Sequence, residues 1–217
     1  MKKASFFLIL IASFLNAVKG QGQKMLSEGT LIYNVEIVSG NSVSTATNTI
    51  YLKGNNCRTD MVSTLGREVT IFNSKSDKAV ILKEFSGQKL MITLTRENWK
   101  DKCKLNSNIK FELTAETKVI GNYTTKKAIA KSADGKSFVV YYTPEWLPGN
   151  KEYDPTFASL PGLPIEYEIE SGKTKFKYSL VKTSYEPVQV SQFDFPNSGY
   201  RVMTYEENQQ LKKGASK

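Results

Sequence analysis

Glu166, Glu168 and Glu170 alternate with Ile165, Tyr167 and Ile169, so on a strand the three carboxylates share one face. Two carboxylates held close together could hydrolyse a glycosidic bond, which makes this set the one enzymatic arrangement to weigh. A solvated strand face with Ile165, Tyr167 and Ile169 turned inward produces the same spacing, and that reading is preferred. Asp60 stands two residues from Arg58 and reads in the same way, as a charge set on one strand face. The chain contains no histidine. That removes Ser-His-Asp and Cys-His nucleophilic sites, histidine proton shuttles and histidine-containing zinc sites. No Gly-rich loop has phosphate-binding or dinucleotide spacing, and two cysteines are too few for a four-thiolate zinc site. The expectation is a protein that is not an enzyme, with no catalytic residue, no metal and no cofactor.

The N-terminus bears on where such a protein works. Lys2 and Lys3 precede an apolar run from Phe6 to Leu15, which has the length of a signal h-region and is too short for a membrane span. Val18 and Gly20 are the small residues that a signal peptidase reads, so cleavage is expected after Gly20, with residues 1–20 removed. No later apolar run is long enough to span a membrane, so no integral span is expected in the mature chain. Localisation is expected to be periplasmic, or secreted.

Residues 21–217 are enough for one domain with a real core. Loss of the three charges on Lys2, Lys3 and Lys19 takes the formal net charge from +9 to +6, and half of the remainder sits at Lys212, Lys213 and Lys217. These lysines predict a basic, frayed C-terminal tail. Elsewhere the signs are mixed, and the short run at Lys126, Lys127 and Lys131 reads as a solvated strand face. A nucleic-acid partner is not expected. An exported chain meets oxidising conditions, so a Cys57–Cys103 disulfide is the expectation; two buried thiols, or a thiol awaiting a partner, are the alternatives. Such a bridge would stabilise the fold by on the order of 4 kcal/mol.

The elements that would carry these residues are strands. Period-two alternation begins with Leu31, Tyr33, Val35 and Ile37. Strand-like runs follow at 44–52, 57–63, 67–73, 79–85, 89–95, 110–119, 123–130, 137–143, 165–171 and 173–184, separated by Gly-, Asn- and Ser-rich turns. Asp134 and Gly135 mark a tight hairpin. Arg96 to Asn108 breaks the rhythm and predicts a short helix or a structured loop, and Thr204 with Glu207 forms a capping box that starts a short C-terminal helix. About eleven strands with one or two short helices predict a mainly β fold, a strongly curved antiparallel sheet of the open half-barrel kind. Phe138 to Tyr142 is apolar or aromatic on both faces and predicts a cover over each.

Three segments, taken in order, resemble the GLPGLI family of exported proteins: Glu116 to Ala128 (ETKVIGNYTTKKA), Val139 to Trp146 (VVYYTPEW) and Phe157 to Ile169 (FASLPGLPIEYEI). The central Leu160-Pro161-Gly162-Leu163 matches the family's naming motif, its flanks differ, and Thr125 stands where the family places a cysteine. The resemblance implies an exported protein of unestablished function with a sheet like the half-barrel of periplasmic lipoprotein carriers (LolA-like).

Pro161 and Gly162 have the residue types of a type II turn, with a positive φ expected at Gly162. Leu160 and Leu163 then either plug the domain's own core or, with Trp146, line or gate an apolar cavity on the concave face. The leading expectation is a non-catalytic binder or carrier of a lipid, an acyl chain or a lipoprotein. The alternative is a structural or interaction protein that meets another envelope protein through a sheet with a filled core.

Overall fold

A computed structural model describes residues 22–76, 78–104 and 106–215. The apolar run Phe6 to Leu15 and the expected cleavage after Gly20 lie outside the described residues. After a short strand β1 (Lys24–Leu26), the first alternating runs fold as β2 (Glu28–Ser39), β3 (Ser42–Lys53), β4 (Asn56–Ser63), β5 (Gly66–Asn73), β6 (Lys78–Phe85) and β7 (Gln88–Thr95). From β3 onward each is antiparallel to the one before. The second half supplies β8 (Lys110–Ile120), β9 (Tyr123–Lys131), β10 (Ser137–Thr143), β11 (Trp146–Pro148), β12 (Leu163–Ser171), β13 (Thr174–Ser184) and β14 (Arg201–Thr204).

Strand β13 pairs with β2 from Thr174 opposite Ser39 to Ser184 opposite Thr30, which fuses the two meanders. The result is one twelve-stranded sheet in the order β14-β7-β6-β5-β4-β3-β2-β13-β12-β10-β9-β8. Within it only β14 runs parallel to its neighbour, β7. The edges β14 and β8 do not pair, so the sheet is an open, strongly curved half-barrel. Each of the eleven strand runs expected from period two falls on one of β2 to β10, β12 and β13. The three others, β1, β11 and β14, have three, three and four residues, too few to display a period. β1 and β11 make a separate parallel pair.

Because β7 and β8 lie near opposite edges, the chain between them must cross the half-barrel. This crossing begins with helix α1 (Arg96–Cys103), capped reciprocally by Thr95 and Asn98. It buries no residue fully and is docked by Trp99, whose ring stacks on Phe72 at 4.2 Å with planes 12° apart. The capping box at Thr204 starts helix α2 (Tyr205–Ala215): Glu207 N–H donates to Thr204 Oγ1 at 3.2 Å and Thr204 N–H to Glu207 Oε2 at 2.8 Å.

Two apolar clusters occupy the inner face. The larger joins Leu31, Tyr33, Ile50, Val140, Leu160, Leu163 and Ile165, and the smaller joins Phe72, Ile81, Ile92 and Met203 beneath Trp99. A third, on the outer face, packs Val69, Ile71, Val80 and Leu82 under Val188 and Phe193. Beside it Asp60 accepts from Arg58 Nε at 3.0 Å, Arg58 Nη2 at 3.1 Å and Arg67 Nη2 at 2.8 Å, while Arg58 Nη1 donates to Gln192 O at 2.9 Å. The Arg58 and Asp60 charge set is thus a structural clamp for the segment after β13.

The run Phe138 to Tyr142 is not covered on both sides in the way its composition predicts. Val140 and Tyr142 are buried inward, but outward Val139 is 40% exposed. Tyr141 has polar neighbours, with Lys118 Nζ 4.9 Å from its ring centroid and its hydroxyl donating to Glu116 Oε1 at 2.9 Å.

The expected disulfide is also corrected, because Cys57 and Cys103 are both free thiols. Strand register turns Cys57 into the larger inner cluster, where it is 4% exposed and its Sγ–H points to Tyr153 O at 3.8 Å. Cys103 sits half-buried at the end of α1, a helix anchored by Trp99 to the smaller cluster. Burial pushes the Cys57 thiol up to about 12 and raises that of Cys103.

Candidate functional site

The inner face is not completely filled. Between the meanders lies a cleft of about 630 Å³. One wall is a row set by register across three strands: Asn48 on β3 faces Met61 on β4, and Met61 faces Glu68 on β5. Glu68 in turn faces Lys83 on β6 and pairs with its ammonium at 2.7 Å. Gly66 and Phe85 extend this wall. A Cβ at Gly66, where φ is +149°, would meet Glu84 O at 2.2 Å and Phe85 Cδ1 at 2.6 Å, so glycine is what lets the Phe85 ring lie close to β5.

The opposite wall is aromatic. Tyr167 on β12 and Tyr178 on β13 are register partners whose rings stack at 4.6 Å and 9°. Ile169 and Phe176 form the next pair along. Tyr33 closes the back of the pair edge-on, 6.2 Å from Tyr167 and 6.5 Å from Tyr178, with its hydroxyl donating to Pro164 O at 2.8 Å.

The roof comes from two 3-10 turns between β11 and β12, Lys151–Tyr153 and Pro155–Phe157. Phe157 meets Tyr167 edge-on at 4.7 Å, and Asp154 Oδ1 caps the second turn by accepting from Thr156 N–H at 3.0 Å.

The electrostatics follow from this packing. Burial raises the pKa of Asp154, and it holds Tyr178 up to about 12, with the Asp154 charge adding to the effect. Burial likewise raises the phenols of Tyr153 and Tyr167. Asn48 is 5% exposed, yet its Oδ1 has no hydrogen-bond partner among the described residues; the Tyr153 hydroxyl is in the same state. Both the aromatic pair and the Asn48 row escape a reading of the sequence alone, since each is assembled by cross-strand register. The one local signal is the inward phase of Tyr167 between the glutamates.

The residues singled out from sequence lie elsewhere. Leu160 and Leu163 are each 1% exposed inside the larger cluster and line no part of the cleft. Trp146, on β11, packs against that cluster from outside the cleft, stacks on Tyr185 at 4.5 Å and carries Lys24 Nζ 5.3 Å from its ring centroid. Leu160 and Leu163 therefore share a cluster with which Trp146 is in contact, and none of the three lines this cleft.

The type II turn is corrected as well, because Gly162 does not have the positive φ that such a turn demands. Its glycine is needed for space: a Cβ there would meet Thr143 O at 2.2 Å and Tyr142 Cδ2 at 2.6 Å. The carboxylates Glu166, Glu168 and Glu170 lie outward in ion pairs. Glu166 reaches Lys118 at 3.6 Å and Lys177 at 3.7 Å; Lys175 reaches Glu168 at 3.6 Å and Glu170 at 3.1 Å.

The fold and site define an open β half-barrel with an aromatic-walled cleft on its inner face. No family model matches the chain, and no curated protein matches it. Among solved structures, PNGF-II is similar at 13% identity and a TM-score of 0.46, covering 85% of this chain and 32% of that one, so the chain spans about a third of PNGF-II. An uncharacterized conserved protein from Thermus thermophilus is similar at 11% identity and a TM-score of 0.49, covering 82% of this chain and 91% of that one. LprF from Mycobacterium bovis is similar at 10% identity and a TM-score of 0.34, covering 78% and 89%. No helix among the described residues is long and apolar enough to cross a membrane.

Proposed function

We propose that this chain is an exported, non-catalytic protein of the GLPGLI type that binds or carries an apolar ligand, a lipid or the acyl chain of a lipoprotein, in a lipoprotein-carrier-like half-barrel of the periplasm. The observation that carries this reading is the cleft of about 630 Å³, walled on one side by Tyr167, Tyr178, Ile169 and Phe176. A volume of that order, an apolar wall and a few convergent polar groups are the features of a small-molecule site. An envelope interaction protein with a filled core is the second reading, and it draws on the packing of Tyr153, Phe157 and Leu160 over part of the same face. The open volume beside them favours carriage.

Native mass spectrometry of protein gently extracted from the envelope tests this, together with titration by the uncharged apolar fluorophore N-phenyl-1-naphthylamine. A co-purified apolar mass, or saturable fluorophore binding weakened at least tenfold by Met61→Arg, is expected. A bare polypeptide with no saturable fluorophore binding overturns the reading.

A further inference from the structure

The cleft has a charge character opposite to that of the molecule. The chain carries 30 lysines and arginines and a formal net charge of +9, yet none of the described lysines and arginines lines the cleft. The charged residues that do line it are Glu68 and Asp154. Lys83 is drawn to the Glu68 carboxylate at 2.7 Å without itself forming the wall. Asn48 lines the same cleft, and its buried Oδ1 accepts from nothing among the described residues. A buried acceptor left unmade is expensive, so its presence on a binding wall points to a donor that arrives with the ligand.

We infer that the cleft's ligand is an uncharged single-chain amphiphile whose polar end presents hydroxyl or amide hydrogens to Asn48 Oδ1, Glu68 and Asp154, with its hydrocarbon chain against Tyr167, Tyr178 and Phe176. This inference rests on the proposed carrier function and narrows it. An anionic head, such as the carboxylate of a free fatty acid, brings only acceptors. It would meet the Asp154 carboxylate, the Lys83-paired Glu68 carboxylate and an unsatisfied oxygen, with no cation among the described lining residues, so the site discriminates against it by leaving like charges and acceptors opposed.

Displacement of N-phenyl-1-naphthylamine from the wild-type full chain by 1-monolauroylglycerol and by laurate tests this directly, because the two competitors share a chain length and differ in the head. The glycerol ester is expected to displace the fluorophore at a concentration about tenfold or more below that of laurate. Asn48→Leu, which keeps the side chain's size and removes the acceptor, is expected to weaken monolauroylglycerol about tenfold relative to laurate, closing the gap between the two competitors. Equal displacement by the two competitors, stronger displacement by laurate, or displacement by neither from a protein that binds the fluorophore overturns the inference and leaves the carrier function standing. Failure of the fluorophore to bind, with only the bare polypeptide recovered from the envelope, overturns the carrier function itself. The wild-type comparison decides the matter even if the Asn48→Leu chain does not fold.

Discussion

A Cβ at Gly162 would stand 2.2 Å from the carbonyl oxygen of Thr143, closer than any real Cβ contact, so the backbone entering β12 lies directly on that leaving β10. The obstacle is backbone, which cannot swing aside. Gly162→Ala is therefore expected to destabilise the protein by about 3 kcal/mol, the upper part of the range for overpacking. Urea denaturation checks it, through a lower midpoint at an unchanged slope. A variant as stable as wild type would mean that the two segments are free to separate.

Cys57 and Cys103 are expected to remain thiols in the purified protein. Alkylation in non-reducing denaturant should label both, and alkylation of the folded protein at mildly alkaline pH should spare Cys57, whose thiol burial pushes up to about 12. An unfolded chain that takes up no label would carry the disulfide that the structure lacks.

Removal of the Asp60 carboxylate leaves the Arg58 and Arg67 guanidinium groups facing each other without their shared acceptor. Asp60→Ala is expected to lose on the order of 3 kcal/mol, because breaking a largely buried ion network costs more than the network's net worth. Denaturant melts of Asp60→Ala and of the Arg58→Ala, Asp60→Ala double variant measure it; the double variant should recover part of the loss.

Asp154 makes stability depend on pH in a direction opposite to that of an ordinary salt-bridged carboxylate. Burial raises its pKa above the ordinary 3.8, so the folded state holds the proton more tightly than the unfolded state. The ionised form weighs against folding at neutral pH. That penalty lifts as the pH falls through the raised folded value and is gone below the ordinary one. Asp154→Asn keeps an oxygen for Thr156 N–H and removes the charge, so it is expected to be the more stable protein at neutral pH, with the advantage vanishing in acid. Parallel pH profiles for the two proteins would refute the assignment.

The stack of Trp99 on Phe72 ties helix α1 to the sheet. Trp99→Ala is expected to speed amide exchange across Arg96–Cys103 by about tenfold or more while β5 and β6 keep their protection. Uniform loss of protection would instead make α1 part of the global folding unit.

Much of this architecture is visible in the order of residues. Leu31, Tyr33 and Val35 alternate with polar neighbours because the pleat alternates faces, and that rule needs no tertiary information. The capping box at Thr204 and Glu207 is equally local. What escapes such reading is short or non-local. Three-residue strands have no measurable period, and Pro161-Gly162 carries the signature of a turn although its glycine answers to Thr143, nineteen positions earlier in the chain.

The sequence by itself determined the β class, the positions of the long strands and the absence of histidine chemistry, since each depends on residue type or on spacing along one strand. Only the tertiary structure decided where the cleft lies. Its two walls meet because β13 pairs with β2, which sets Tyr178 beside Val35 and brings Tyr167 and Tyr178 to the same inner face as Asn48. The tertiary structure likewise leaves Cys57 and Cys103 as free thiols and seals Leu160 and Leu163 in the core. Cross-strand register is fixed by burying a whole face at once, a collective choice that no short window of residues contains.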